Sequence, residues 1–321
     1  MQLLNEIDVG AARPAAKFSD PVWTAKGEKR AVVPFNGLAT LWFNTGTLCN
    51  ISCVNCYIES SPKNDALVYL SRDEVRAFLH QADTALVRPR EIGFTGGEPF
   101  MNPDVIAMLS DALTAGFQVL VLTNAMKPMQ RHKSALLDLS ARHPRQLAIR
   151  VSLDHYARHG HEEVRGKRTW QPTIDGIVWL AAHGFDLSIA GRKVWHETEA
   201  ELRAGYARTC AALGLELDTD DPARLVLFPD IDATVDVPEI SEGCWKILNK
   251  SPDGVMCASS RMVIKRRGAA RPAVISCTLL PYDAQFEMGA TLAEAERPVH
   301  LNHKHCAQFC VLGGASCSVA R

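Results

Sequence analysis

The sequence predicts an α/β fold in which parallel strands alternate with helices. Six short apolar runs, each bounded by turn or helix-capping residues, recur between residues 40 and 228. Brief runs rich in Val, Ile, Leu and Phe are typical of buried strands. Their alternation with helical stretches indicates βαβ units, which favour either a doubly wound sheet or a partial barrel. The predicted strands are residues 40–44, 91–94, 118–123, 147–153, 186–190 and 225–228.

Helix signals fill the intervals between these runs. Ser71-Arg-Asp-Glu74 has the pattern of a capping box, in which the serine and glutamate side chains each satisfy an unpaired backbone N–H group. Asn102 before Pro103 predicts the start of the next helix, and Gly116 predicts its end. Prolines and glycines bracket the later helices in the same way, which supports the βαβ interpretation.

The pattern changes after residue 230. The last 78 residues hold six of the ten cysteines, and two strand-like runs flank Gly268 between Cys257 and Cys277. We interpret this region as a small cysteine-rich domain that contains a β-hairpin. The predicted division is an N-terminal arm (1–35), an α/β domain (36–230) and a cysteine-rich C-terminal domain (231–321).

The composition limits the class of partner. With 35 basic and 36 acidic residues, the formal charge of −1 gives no reason to expect nucleic acid or an anionic membrane as a partner. The start of the chain lacks the basic and apolar regions of a signal peptide, and no apolar stretch of roughly 18 residues follows. We therefore expect a cytoplasmic protein, in which clustered cysteines stay reduced and bind metal.

Two motifs carry the chemistry. Cys49, Cys53 and Cys56 form a Cys-x3-Cys-x2-Cys spacing directly after the first predicted strand. Three thiolates leave one iron of a four-iron cluster without a protein ligand, and a small molecule can bind there. Forty residues later, the segment from Thr95 to Pro99 reads Thr-Gly-Gly-Glu-Pro and follows the second predicted strand.

Together these motifs resemble those of the radical S-adenosylmethionine (SAM) enzymes. The resemblance covers roughly residues 36–230 and implies an open (β/α)6 barrel of the TIM type, with the cluster loop after the first strand. It also implies a [4Fe–4S] cluster held by the three cysteines, with SAM chelating the fourth iron. Enzymes of this family cleave SAM reductively to a 5′-deoxyadenosyl radical, which takes a hydrogen atom from the substrate.

The resemblance assigns further residues to SAM. Gly96, Gly97 and Glu98 match the family's contact to the SAM amino group. The family often has an aromatic residue before the third cysteine, but here that residue is Asn55, so we assign the adenine contact to Tyr57. Residues at later strand ends match the ribose and carboxylate contacts, although each also fits a strand-end cap. They are Asn124, Ser152, Asp154 and Arg192.

The C-terminal cysteines resemble the auxiliary-cluster extensions called SPASM and twitch domains. The Cys-x2-Cys-x5-Cys-x3-Cys order of a two-cluster SPASM domain is absent, which favours one auxiliary [4Fe–4S] cluster. A zinc ion held by four cysteines remains an alternative. Cys244 is the expected spare, and the expected ligands are four of Cys257, Cys277, Cys306, Cys310 and Cys317.

Two functions remain open from the sequence. The first is a radical SAM enzyme that oxidises or cross-links a small molecule or a short peptide, with an electron donor such as flavodoxin or ferredoxin. The second is a non-catalytic iron–sulfur or zinc protein that acts in electron transfer, sensing or cluster assembly. The Gly-Gly-Glu-Pro segment favours the enzyme, because an electron carrier has no need of it at a strand end.

Overall fold

The computed structural model describes residues 16–85, 88–231 and 235–315. Its centre is a nine-stranded sheet with the order β10-β9-β8-β2-β3-β4-β5-β6-β7, and a separate two-stranded sheet pairs β1 with β11. The strands are β1 (Val32–Val33), β2 (Thr40–Asn44), β3 (Glu91–Thr95), β4 (Gln118–Thr123), β5 (Leu147–Ser152), β6 (Asp186–Lys193), β7 (Leu225–Pro229), β8 (Ser260–Ile264), β9 (Ala273–Ile275), β10 (Glu287–Gly289) and β11 (Val299–His300).

The six predicted strands are β2 to β7, and they pair in sequence order as parallel neighbours. Helices connect them, and because the strands follow one another in sequence order, right-handed connections put these helices on the outer face of the sheet. Strands such as β2 are buried along their whole length. This arrangement confirms the α/β prediction and its partial-barrel form. It also brings the C-terminal ends of six strands to one rim, where α/β proteins place their ligands.

The helices begin and end close to their predicted signals. Ser71 and Glu74 form the predicted capping box of the first helix. The second helix begins at Val105 rather than directly after Asn102. The Asn102 Oδ1 accepts from the Asp104 N–H at 2.9 Å, while its Nδ2 donates to the carbonyl oxygens of Thr45 and Leu70. The α-helices are α1 (Arg72–Asp83), α2 (Val105–Thr114), α3 (Lys127–Gln130), α4 (Lys133–Arg142), α5 (Arg158–Arg165), α6 (Trp170–Ala182), α7 (Glu199–Ala212) and α8 (Cys244–Ile247).

Shorter helical turns occur after β3 and in the C-terminal region. They are the 3-10 helices Pro99–Met101, Pro252–Gly254, Met256–Ala258, Ala284–Phe286 and Ala293–Ala295, and the π-helix Cys306–Leu312. Within the described ranges, no helix is long and apolar enough to cross a membrane.

The predicted hairpin is formed by β8 and β9, which pair antiparallel. Its first strand also pairs in parallel with β2, so the hairpin extends the barrel sheet at the edge next to the first strand. This pairing joins residues about 220 positions apart, such as Thr40 and Ser260. A division of the chain at residue 230 stays a prediction, and the sheet itself runs across it.

The described part of the N-terminal arm packs on the C-terminal region. Its strand β1 pairs with β11, and Arg30 forms a buried ion pair with Glu239 at 2.6 Å. Arg30 also donates to the carbonyl oxygens of Asp20 and Trp23 at 2.9 Å each. A buried charge is tolerated when its donors are satisfied in this way.

Candidate functional site

A cavity of about 1130 Å³, measured out to solvent, lies at the C-terminal ends of the parallel strands. The predicted residues that line it are Cys49, Cys53, Cys56, Tyr57, Gly96, Gly97, Asn124, Ser152, Asp154 and Arg192. The structure therefore brings together ten side chains or backbone segments that the sequence assigned to one centre.

The cysteine loop is held in place by backbone hydrogen bonds on both sides. The Cys49 N–H donates to the Ser61 carbonyl at 3.1 Å, and the Val54 N–H donates to the Val164 carbonyl of α5 at 2.7 Å. The Ser60 N–H points at the Cys56 sulfur at 3.3 Å. Hydrogen bonds to sulfur help to set the reduction potential of a thiolate-bound cluster, so an N–H placed in this way would tune a cluster held by the loop.

Burial controls the protonation of these thiols. It raises the pKa of Cys49 to about 12 and also raises the pKa of Cys53. The nearby Arg165 guanidinium acts in the opposite direction on both thiols. In the metal-free protein the two groups are thiols at neutral pH, so metal binding must release their protons.

Gly96 and Gly97 allow the second motif to lie against the cysteine loop. The Gly97 N–H donates to the Gly46 carbonyl at 2.8 Å, and a Cβ at Gly97 would lie 2.2 Å from the Leu48 carbonyl oxygen. Gly96 has a φ of +136°, which side-chain-bearing residues rarely adopt. Glycine is thus required at both positions, and the backbone of this segment forms part of the cavity wall.

Glu98 differs from the other predicted residues because it does not line the cavity. Its buried carboxylate accepts hydrogen bonds from the Thr123 hydroxyl at 2.8 Å and the Asn124 N–H at 2.9 Å. Burial raises the pKa of Glu98 to about 7, although these hydrogen bonds act against the rise. The structure gives Glu98 a positioning role: it fixes the end of β4, from which Asn124 reaches the cavity.

Arg192 offers an unused donor at the cavity. Its two terminal nitrogens donate to the Asp230 carboxylate at 2.7 Å and to the Val54 carbonyl at 3.1 Å. Its guanidinium lies 5.2 Å from the centre of the Tyr57 ring. The Nε atom is buried and has no hydrogen-bond partner among the described residues. A buried unpaired donor is costly, and an anionic group bound here would satisfy it.

Asp154 and Arg165 form a buried ion pair on the cavity wall, with 2.6 Å between Oδ2 and Nε. Burial alone would lower the pKa of Arg165, but the Asp154 carboxylate and the Cys53 sulfur outweigh it and hold that pKa above its usual range. The spacing of the two residues in the sequence gave no sign of this pair. The Asp154 carboxylate fixes the Arg165 guanidinium beside the cysteine loop and balances its charge.

Other wall residues come from distant parts of the chain. Thr278 and Leu279, which follow the hairpin, line the same cavity. Sequence reasoning missed both, because neither belongs to a local motif and their position depends on the pairing of β8 with β2. Trp42 and Arg150, on β2 and β5, also line the cavity and carried no sequence signal.

A second, smaller cavity contains four of the predicted auxiliary cysteines: Cys257, Cys277, Cys306 and Cys310. Apart from His305, the rest of its wall is apolar and consists of Val255, Met256, Leu279, Phe286, Val299 and Leu301. Cys317 lies outside the described residues. Cys244, the expected spare, does not line the cavity, and its sulfur lies 3.5 Å from the Ser241 hydroxyl.

Two thiols of the second cavity are also held in their protonated form. Burial raises the pKa of Cys257 to about 11 and raises that of Cys306 well above its usual value. Each thiolate of a four-iron cluster binds a different iron, so the sulfurs need not converge on one point. Among the described residues, no three Cys, His, Asp or Glu side chains form a site for a single metal ion.

The family of the chain follows from comparison with known sequences. The profile of the Radical SAM superfamily matches residues 43–203, which is half of the chain and includes both motifs. The chain therefore belongs to the radical SAM superfamily.

Particular relatives extend the comparison. The subtilosin biosynthesis protein AlbA of Bacillus subtilis (strain 168) is 30% identical over 143 residues, which are 44% of this chain and 30% of AlbA. SuiB of Streptococcus suis, in its complex with SAM, superposes with a TM-score of 0.58 at 12% identity, covering 79% of this chain and 63% of SuiB. For anSMEcpe with bound SAM the TM-score is 0.57 at 12% identity, covering 80% and 79% of the two chains. The chain thus spans less than two thirds of AlbA and of SuiB.

Family membership implies a [4Fe–4S] cluster and SAM as cofactors, and the residues of the first cavity fit both. Three cysteines line it, and the glycine backbone of the second motif packs directly against the cysteine loop. The unpaired Arg192 Nε suits the SAM carboxylate. The four-cysteine cavity is compatible with an auxiliary cluster.

Proposed function

We propose that this chain is a radical SAM enzyme that oxidises or cross-links a peptide. The observation that carries the proposal is the first cavity, which gathers the three cysteines and the strand-end residues around one space. When bound, the cluster and SAM supply a carbon radical that can remove a hydrogen atom from an unactivated C–H bond. The protein has to bind, orient and shield these groups.

Each part of the wall has a proposed task. Cys49, Cys53 and Cys56 bind the cluster, and the Gly96 and Gly97 backbone accepts hydrogen bonds from the SAM ammonium group. Arg192 donates its free Nε–H to the SAM carboxylate, at a position where the guanidinium is already fixed by Asp230.

The remaining wall residues hold the rest of SAM. Tyr57 packs against the adenine, and its ring is held by a hydrogen bond from its hydroxyl to the Pro229 carbonyl at 2.8 Å. Asn124 and Ser152 contact the ribose hydroxyls. Asp154 stays paired with Arg165 and holds the Arg165 guanidinium in place at the wall.

The similar proteins support a peptide as substrate rather than a small metabolite. AlbA is named as a bacteriocin biosynthesis protein. SuiB has been solved with its precursor peptide SuiA, and anSMEcpe with the Cp18Cys peptide; both superpose with a TM-score of 0.55. Because the chain spans only part of AlbA and SuiB, the peptide substrate is an inference from the shared fold and cavity.

The proposal also names a partner and a compartment. SAM cleavage requires one electron from outside the chain, and we propose a small donor such as flavodoxin or ferredoxin. The balanced charge of the chain gives no reason to expect nucleic acid as a partner. Reduced thiols at both cysteine sites fit the cytoplasm.

The decisive experiment is anaerobic reconstitution with iron and sulfide, followed by reduction and addition of SAM. We expect 5′-deoxyadenosine, about eight irons per chain for two four-iron clusters, and a change in the spectrum of the reduced first cluster when SAM is added. A full first cluster that neither responds to SAM nor releases 5′-deoxyadenosine would contradict the proposal and favour an electron carrier or sensor.

A further inference from the structure

Leu279 is the one residue in the described part of the chain that lines both cysteine cavities. Its side chain is buried, with a relative exposure of 4%. The residues before it divide between the two sites: Thr278 lines the first cavity, and Cys277 lines the second. The three-residue segment 277–279 is therefore a shared wall.

The segment is fixed on the side of the second cavity. The Leu279 N–H points at the Cys277 sulfur at 3.4 Å, so the backbone turns around that thiol. The Thr278 hydroxyl lies 3.9 Å from the Met256 sulfur, and Met256 is another wall residue of the second cavity. The Leu279 side chain supplies the hydrocarbon surface that the two cavities share.

The two spaces differ in polarity across this wall. The first contains Asp154, Arg165 and Arg192, whereas the second is lined by cysteines, His305 and apolar side chains. Moving an amide or a hydroxyl group across a hydrocarbon layer without hydrogen bonds is costly. A peptide group in the first cavity thus meets a barrier at Leu279 before it can reach the second set of thiols.

We propose that Leu279 is the partition that keeps substrate and solvent of the first cavity away from the metal centre of the four-cysteine cavity. The inference rests on the proposed function, since it takes both sites as loaded. It makes Leu279 a positioning and specificity residue: the substrate reacts in the first cavity and does not become a ligand of the second centre.

The test uses the reconstituted full-length protein and follows iron release to bipyridyl, a small chelator, under anaerobic conditions. Release from the second centre is identified as the phase that is missing in Cys310→Ala. In Leu279→Ala we expect this phase to be severalfold faster than in the unchanged protein. Because the new route passes through the first cavity, added SAM should return the rate close to that of the unchanged protein.

Two matched leucines provide controls. Leu301 lines only the second cavity, and Leu122 lines only the first. Leu301→Ala also removes hydrocarbon beside the second centre, but it opens no route from the first cavity, so SAM should not slow iron release in that variant. Leu122→Ala should leave the second phase unchanged. If Leu279→Ala does not retain iron at the second centre, Leu279→Val is judged by the same criteria.

An unchanged second phase in the Leu279 variant would overturn the partition, and so would an acceleration that SAM does not reverse. These outcomes are distinct from a failure of the proposed function. If the proposed function fails, the first cluster of the unchanged protein does not respond to SAM. The spectrum of that cluster, recorded in the same samples, measures this response.

Discussion

The two cysteine sites both present cysteine sulfurs but have different walls. The first site has charged and amide side chains among apolar ones and lies in a cavity that opens to solvent at the strand ends. The second site is lined mostly by hydrocarbon and is smaller. This difference indicates a division of work: the first wall can bind polar cofactors and substrate, whereas the second can hold a metal centre and exclude other ligands.

The two sites also differ in how the chain assembles them. The three cysteines of the first site lie within eight residues, so the loop after β2 positions all of them. The four cysteines of the second site span residues 257–310, and their approach requires the hairpin and the π-helix to be folded. Damage to one ligand should therefore have different consequences at the two sites.

The largest effect is expected for Cys53→Ala. Loss of one of only three ligands should abolish SAM cleavage, because the reacting iron is no longer held, while the helix content of the chain remains. The measurements are 5′-deoxyadenosine by chromatography and circular dichroism. Cys244→Ala is the matched control, since Cys244 lines neither cavity and should retain activity. Normal 5′-deoxyadenosine formation in Cys53→Ala would contradict our assignment of the loop.

Cys310→Ala should separate the two sites. We expect the iron content to fall from about eight to about four per chain, the loss of one four-iron cluster. Uncoupled SAM cleavage should persist, because the cysteines of the first site are untouched. Iron analysis and the 5′-deoxyadenosine assay test this on one sample. If the iron content stays at the level of the Cys244→Ala control, Cys310 is not a ligand. If metal analysis finds zinc in place of the second four irons, the second centre is a structural zinc site.

The same contrast explains what the sequence could predict. The barrel strands were predicted because each combines a brief apolar run with local capping signals. The grouping of the first three cysteines at one site was predicted because their spacing in the sequence is short. The contacts of Thr278 and Leu279 with the first cavity were missed. They depend on the pairing of β8 with β2, which no local pattern encodes. Glu98 was assigned to SAM from its motif, but its burial behind Asn124 appears only in three dimensions.

A third prediction concerns the charged wall of the first site. Asp154→Asn would leave the buried Arg165 guanidinium without its carboxylate, which should cost about 3–5 kcal/mol of unfolding free energy. Urea unfolding of the full chain measures this. The exposed pair between Arg142 and Asp138 is the control, and Asp138→Asn should cost less than about 1 kcal/mol. Equal costs for the two variants would mean that the Asp154 pair is solvated and that the first wall carries no buried charge.

The fourth prediction uses pH to test the buried Glu98 carboxyl group, which lies behind that wall. Burial raises the pKa of Glu98 to about 7 from a usual value of 4.5, so the folded state binds more protons than the unfolded state between these values. The unfolding free energy should therefore fall as the pH rises through this window, by up to about 3 kcal/mol. The Gln side chain in Glu98→Gln cannot ionise, so the variant lacks this pH dependence of the unfolding free energy.

The measurement is urea unfolding of the metal-free chain at several pH values from 5 to 8, with Glu98→Gln beside the unchanged protein. The variant should be less stable at low pH, because it loses one of the two oxygens that accept from Thr123 and Asn124. The difference between the two proteins should shrink as the pH rises and the wild-type carboxyl group ionises. A difference that does not change with pH would show that Glu98 ionises normally. A charged Glu98 would then lie behind the lining of the first cavity. The difference in polarity between the first site and the hydrocarbon wall of the second site would be even larger.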